Sequence, residues 1–381
     1  MPAPLKKLAL VLAGGGARAA YQVGFLRSLA RAFPDLQFPV ITGVSAGAIN
    51  AAFLANSTDD FPRTVERLTS LWTNLTIDQV FRTDFATVGT NMLRWALRLT
   101  LGGAPLAPRT HGLVNTDPLR DYLRNAYGTT QGMLTGVETN LRNGRLKAVG
   151  ITTTSYTTGE TNTWVQGEDL KMWERPGRRS RPTRLSVEHV MASSALPLIF
   201  PAVEVDGSWH GDGGMGLIAP LSPALHLGAD LIMAVSTRFP RPRIEPDRSV
   251  PASYPPPASV VGVLFDTVFL DTLDHDALTV RRVNQFLARQ PAGIEEGVRP
   301  VELLLQRPTQ NLEHLAHEFE TELPRAFRFA TRGLGTRETS RAGLLATLMF
   351  APGYIRRMIE MGERDGDQRR AEIATFLGLS L

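Results

Sequence analysis

The sequence predicts an α/β fold: a three-layer α/β/α sandwich around a mainly parallel central sheet, with a mostly helical C-terminal extension. Three observations carry this expectation. Short, unbroken apolar runs at residues 8–12, 39–42 and 231–236 fit parallel strands buried on both faces. The first two are each followed by a glycine-rich turn and a helical segment, the order of a parallel sheet with helical crossovers. Beyond a stretch with prolines at 240, 242, 246, 251, 255, 256 and 257, the chain reads as mostly helical.

Leu8–Leu12 is the first strand. After Gly14-Gly15-Gly16, the residues Tyr21, Phe25, Leu26, Leu29 and Phe33 recur at helical spacing up to Pro34. Residues 39–42 form the second strand, which ends in Gly43-Val44-Ser45-Ala46-Gly47, and 48–54 continue as helix. Residues 60–130 read as mostly helical, with Thr116 capping a helix that carries Pro118 in its first turn. Residues 146–156 and 161–165 are β-rich, and Asp206-Gly207 marks a hairpin within 203–209. Further on, 260–289, 312–331 and 342–376 are helical in character, and 301–305 is strand-like. No internal repeat is present.

The 381 residues, 43% of them hydrophobic, suffice for one large domain or a domain with an appendage, and exclude disorder and collagen-like repeats. The chain has no cysteine. Disulfides, iron–sulfur clusters, thiolate nucleophiles and cysteine zinc sites are thereby removed, and a reducing compartment fits. A net charge of +4 is too small to argue for nucleic acid. Arginine outnumbers the four lysines heavily, which suits either codon bias or recognition of phosphate oxygens. Lys6-Lys7 ahead of Leu8–Ala13 looks like a short signal peptide, but glycines break the apolar run. No stretch reaches the roughly 18 apolar residues of a membrane span, so a cytoplasmic or peripherally membrane-associated protein is expected.

Two glycine-rich loops stand at the carboxyl ends of the first two strands, where parallel sheets place their sites. Gly43-Val44-Ser45-Ala46-Gly47 fits a nucleophile elbow. Its small flanking residues let the chain turn sharply and lift the Ser45 Oγ clear, beside the first amides of the next helix. Gly14-Gly15-Gly16-Ala17-Arg18-Ala19 also matches a dinucleotide fingerprint. Against that reading, Asp35 precedes the second strand, whereas a ribose-binding carboxylate belongs at that strand's far end, which carries Ser45. An oxyanion hole of consecutive glycine amides is the better reading. Arg18 either points to solvent, braces the glycine loop or meets a substrate anion. Gly211-Asp212-Gly213-Gly214 is by itself only a tight turn that carries a carboxylate.

Together, Gly14-Gly15-Gly16-Ala17-Arg18, Gly43–Gly47 and Asp212-Gly213-Gly214 resemble, in order, the motifs of the patatin-like phospholipase family. The resemblance takes in Ala192-Ser193-Ser194-Ala195-Leu196-Pro197, Phe200-Pro201, Pro220–Pro223 and Gly228-Ala229-Asp230, and covers residues 5–240. It is softer at Asp271–Asp276 and Arg282-Val283-Asn284, which are similar to the helical tails of bacterial members. It implies a catalytic domain at 5–240, a proline-rich linker at 241–258, and a mostly helical extension at 259–381 packed on or beside that domain. The implied activity is hydrolysis of lipid or phospholipid esters, of phospholipase A or lysophospholipase type, through a Ser45–Asp212 dyad and an acyl-serine. The amides of Gly14, Gly15, Gly16 and Ala46 would form the oxyanion hole, supported by Arg18, Gly43, Gly47, Gly213 and Gly214, without metal or organic cofactor. The alternatives are a lipid-binding or scaffold protein of the same fold, and an acyltransferase using the same dyad. The chain departs from the family at Ala13 and Ala19, and at Met215–Ala219, where an asparagine often follows Asp-Gly-Gly.

His210 lies two residues before Asp212 on a strand, so it would stand beside the carboxylate rather than between it and the serine. A dyad is expected over a histidine relay. His314 and His317 lack a third ligand motif. Asp271, Asp274 and Asp276 read as a solvated helix face rather than a calcium loop. Residues 92–101, with Arg94, Trp95 and Arg98, are amphipathic and fit either core packing or a helix on a lipid surface. Leu344–Met349 raises the same alternative.

Overall fold

The computed structural model describes residues 7–82, 112–240, 272–289, 299–324 and 343–379, with four single positions besides. The expected linker at 241–258 and the amphipathic segment at 92–101 lie outside the described residues. The strands are β1 (Leu8–Leu12), β2 (Val40–Val44), β3 (Ala148–Ser155), β4 (Thr161–Gly167), β5 (Glu174–Arg175), β6 (Arg178–Pro182), β7 (Val203–Val205), β8 (Ser208–Asp212), β9 (Leu231–Val235) and β10 (Glu302–Gln306). They form one sheet in the order β10-β9-β1-β2-β3-β4-β6-β5, with β8 pairing with both β3 and β7. The run from β10 to β3 is parallel throughout. Beyond it the sheet is mixed, with β4 and β8 antiparallel to β3.

The helices that surround the site are α1 (Ala20–Ala32), α2 (Ala46–Asn56), α3 (Phe61–Thr73), α4 (Val187–Ser193), α5 (Thr272–Leu287), α6 (Leu312–Glu318), α7 (Gly343–Leu348) and α8 (Pro352–Gln368). The alternation of side chains along the strands separates two cores. Leu8, Leu10 and Leu12 of β1 join α1, α2, α3 and α8 on one face. Ala9 and Val11 turn the other way, toward Leu273, Ala277 and Val280 of α5. Both faces of the central strands are therefore covered, which explains why their sequences are unbroken apolar runs.

The sandwich continues past residue 240. β10 pairs in parallel with β9, and α8 packs against α1 so closely that the two backbones touch. A side chain on Gly24 would strike the Ile359 carbonyl, and one on Gly362 would strike the Tyr21 carbonyl. Arg31 closes the far end of this pair with Glu363 at 2.6 Å and Asp367 at 2.7 Å. α7 differs from the lipid-facing alternative: Leu344 to Met349 are all buried, because α7 lies inside the first core rather than over it. Asp274 and Asp276 are likewise not a solvated face. Asp274 accepts from Arg307 at 2.6 Å and Asp276 from the Leu221 amide at 2.7 Å, tying α5 to both neighbours. Among the described residues, no helix is long and apolar enough to cross a membrane.

The α1–α8 contact yields a test. Gly362→Val places two methyl groups against the Tyr21 carbonyl, and overpacking of this kind costs about 3 kcal/mol. Thermal unfolding should shift down by roughly 5 °C or more, with the fold otherwise retained.

Candidate active site

β2 runs directly into α2, and Ser45 occupies the turn between them with φ 55° and ψ −134°. A non-glycine residue at positive φ is strained, and here the strain turns the side chain away from the strand direction. The surrounding glycines permit the turn. A Cβ on Gly43 would lie 2.6 Å from the Ala51 Cβ, one on Gly47 2.5 Å from the Ala13 carbonyl, and one on Gly14 2.9 Å from the Ser45 Cβ. The end of β1, the elbow and α2 thus converge at closer range than side chains allow.

Register brings the second group to the same point. Val44, the last residue of β2, pairs with Thr152 of β3, and the next residue of β3, Thr153, pairs with Asp212 of β8. β4 fills the other edge of β3 here, so β8 takes up the edge where β2 leaves it. Asp212 therefore stands where β2 would have continued had Ser45 not turned away.

Asp212 is fully buried. Its Oδ1 accepts from the Gly214 amide at 2.8 Å, while Oδ2 makes no hydrogen bond of regular geometry. Burial pushes its pKa up to about 7, against a lowering from the Ser45 side chain that faces it and from the Gly214 amide. Gly213 lies so near the Thr152 carbonyl that no side chain fits. The departure at Met215–Ala219 thus leaves Asp212 with a backbone donor in place.

His210 is buried but takes no part in this pair. Trp164 Nε1 donates to the Thr153 hydroxyl at 2.8 Å, and that hydroxyl lies 3.0 Å from His210 Nδ1. His210 thus has its hydrogen-bond partner in Thr153 rather than in Ser45 or Asp212. Burial and the nearby Arg181 also lower the His210 pKa.

The helix α4 and the residues after it hold the pair together. The Ser45 amide donates to Ser193 Oγ at 3.0 Å, which donates to the Thr152 carbonyl at 2.6 Å. Ser194 Oγ donates to the Ser45 carbonyl at 3.0 Å, and the Asp212 amide donates to the Ala195 carbonyl at 3.0 Å. One short segment grips the serine, the carboxylate and β3 at once.

The glycine loop is held from several sides. Gly15 has φ 150° and Gly16 φ 58°. Thr237 Oγ1 donates to the Gly14 carbonyl at 2.5 Å, and Gln22 Nε2 to the Ala13 carbonyl at 2.7 Å. Behind Gln22, Asn50 Nδ2 donates to its Oε1 at 2.9 Å, and Trp72 Nε1 donates to Asn50 Oδ1 at 2.7 Å. Arg18 does not point to solvent. It is 4% exposed, and its Nε donates to the Gly15 carbonyl at 3.2 Å, so it braces the loop. Gly14, where a Cβ would lie 2.9 Å from the Ser45 Cβ, and Ala46, the first residue of α2, bring the two segments expected to bind an oxyanion up to the serine.

A small cavity of about 20 Å³, lined by Gly14, Val44, Gly214, Leu217 and Leu273 among others, adjoins the site. Larger hollows of about 220 and 620 Å³ lie at the opposite, amino ends of the strands, around Pro34–Gln37. The smaller one lies next to Ser45 and Asp212 in the chain, being lined by Val44 and Gly214.

Residues 10–225 match the family model of the patatin-like phospholipases. The chain belongs to that family. Its fold is also that of human GIVD cytosolic phospholipase A2, solved with methyl gamma-linolenyl fluorophosphonate and terbium chloride. The two are 14% identical with a TM-score of 0.51, over 98% of this chain and 59% of that one. This patatin-like chain therefore spans about three-fifths of the human enzyme's length. VipD from Legionella pneumophila is 15% identical with a TM-score of 0.39, over 97% of this chain and 67% of that one. No curated protein matches the sequence.

Sequence reasoning missed Gln22, Asn50, Thr237 and Thr347 of this patatin-like site. A signal existed for the first two, since each is an amide flanked by small and apolar residues in its helix, and a buried amide requires partners. Asn50→Leu should strip Trp72 and Gln22 of their partner and cost about 2–3 kcal/mol, read as a lower denaturant midpoint.

Proposed function

We propose that this protein is a serine acyl hydrolase that cleaves carboxylic esters of lipids through a Ser45–Asp212 dyad. One observation carries the reading: a fully buried carboxyl, with Oδ1 accepting from the Gly214 amide, faces the Ser45 side chain, and burial raises its pKa to about 7. A carboxylate of ordinary strength is too weak a base for a serine, whereas one poised near neutrality serves as both base and acid. Family membership supports the lipid class of the ester.

In this reading Asp212 takes the Ser45 proton as Oγ bonds to the ester carbonyl carbon. The carbonyl oxygen becomes an oxyanion, held by the amides of Gly14, Gly15, Gly16 and Ala46. Collapse expels the alcohol, which receives the proton from Asp212 and leaves an acyl-serine. Water then repeats the sequence, with Asp212 as base again, and releases the carboxylic acid. The left-handed Ser45 backbone keeps Oγ in place throughout, and Gly43, Gly47, Gly213 and Gly214 serve by letting the segments approach.

Ser45→Ala and Asp212→Asn should each lower kcat on p-nitrophenyl butyrate by roughly 10⁴-fold or more. His210→Ala should keep most of it. A fluorophosphonate should label Ser45, as read by mass spectrometry of the peptide. Near-normal turnover by Ser45→Ala would overturn the proposal. Lipid esters in vesicles, with products identified by mass spectrometry, should yield free fatty acid.

The base must be ionised, so kcat/KM should rise about tenfold per pH unit up to about 7 and level off above it. Stability runs the other way. The folded state prefers the protonated carboxyl, so it gives up stability as pH climbs from the unfolded value near 4 to about 7. Asp212→Asn should therefore unfold at a higher temperature than wild type at pH 8, a gap that closes toward pH 4.

A further inference from the structure

Thr347 of α7 reaches both ends of the glycine loop's support. Its hydroxyl accepts from Arg18 Nη2 at 2.8 Å and donates to the Gly343 carbonyl at 2.8 Å. Its backbone carbonyl and its methyl occupy the place that a side chain on Gly16 would take. Both Thr347 and Arg18 are 4% exposed, so the contact is closed to solvent. Arg18 in turn donates to the Gly15 carbonyl from its side chain and from its own amide, each at 3.2 Å.

These contacts act on a loop that cannot hold its own shape. Gly15 and Gly16 adopt positive φ, which glycine reaches freely and leaves as freely. An anion-binding loop is useful only when its amides are fixed before charge develops, since a displacement of about 1 Å costs roughly 10²-fold. Thr237 and Gln22 fix the carbonyls on the β1 side, at Gly14 and Ala13. At the helix side, Gly16 abuts Thr347, and Arg18 spans from Gly15 to the same residue.

We infer that Thr347, from the C-terminal extension, is a positioning residue for the oxyanion-binding loop: its hydroxyl orients Arg18 on Gly15, and its backbone seats Gly16. The inference rests on the acyl-hydrolase reading and deepens it, because turnover at Ser45 then depends on a residue that follows the expected catalytic domain by more than a hundred positions. α7 is held for this role by its neighbours. It packs within the same buried cluster as α6 and α8, and Tyr354 of α8 donates to the Leu312 carbonyl of α6 at 3.0 Å.

The test uses the full chain and p-nitrophenyl butyrate, with fluorophosphonate labelling of Ser45 as a second readout. Thr347→Val keeps the shape and removes the hydroxyl. It should lower kcat and the labelling rate together by roughly 10–100-fold, with KM changed by no more than about twofold. Thr347→Ser restores the hydroxyl and should keep at least about half of wild-type kcat. Thr347→Ala gives the same readout as valine should that variant not fold, and circular dichroism verifies each fold. An unchanged kcat in Thr347→Val or Thr347→Ala overturns the inference while leaving the hydrolase reading intact. So does a serine variant as poor as valine, because the hydroxyl is then not the operative group. A wild-type protein that neither turns over the ester nor labels at Ser45 overturns the hydrolase reading and the inference with it.

Discussion

A loop of three glycines has almost no conformational preference of its own, and the site is organised around that fact. Glycine is required because the loop passes within van der Waals contact of Ser45, Thr237 and Thr347. The same absence of side chains leaves its shape to hydrogen bonds from outside. Those bonds come from β9's extension at Thr237, from α1 at Gln22 and from Arg18. The Trp72–Asn50–Gln22 chain then carries the support through α2 into α3, so three helices share one buried polar network. Such a network is worth having only when every member is satisfied, which is why its residues lie deep in an otherwise apolar layer.

The sheet supplies the second constraint. Ser45 and Asp212 meet because a parallel strand ends one residue short of the place where an antiparallel strand begins on the same edge of β3. No flexible side chain has to reach across a gap. Asp212 is buried by this arrangement, and burial raises its pKa. One packing event thus creates both the proximity of the two side chains and the raised pKa of the carboxyl.

Much of this was legible in the sequence. The apolar runs of β1, β2 and β9 and the glycine turns after the first two are local patterns, and so is the Asp206-Gly207 hairpin that leads into β8. The placement of β8 beside β3 was not legible, because register between distant strands leaves no local trace. The segment 192–197 stood out only by resemblance, although Ser193 and Ser194 act through backbone bonds that any tight crossing would need. Arg18 was ambiguous for a related reason. A cation in a first helical turn reads as exposed until its partner is known, and Thr347 lies 329 residues away.

That separation has a consequence for the order in which the molecule is made. At roughly 5–20 residues per second, translation takes on the order of tens of seconds to pass from Arg18 to Thr347. β1, β2 and the elbow have emerged long before the last partner of the loop, and β10 completes the sheet edge only late. Closing contacts across so many residues carries a large loop entropy, so native assembly is slow relative to local helix formation. A nascent chain therefore carries its serine well before it carries a fully braced glycine loop.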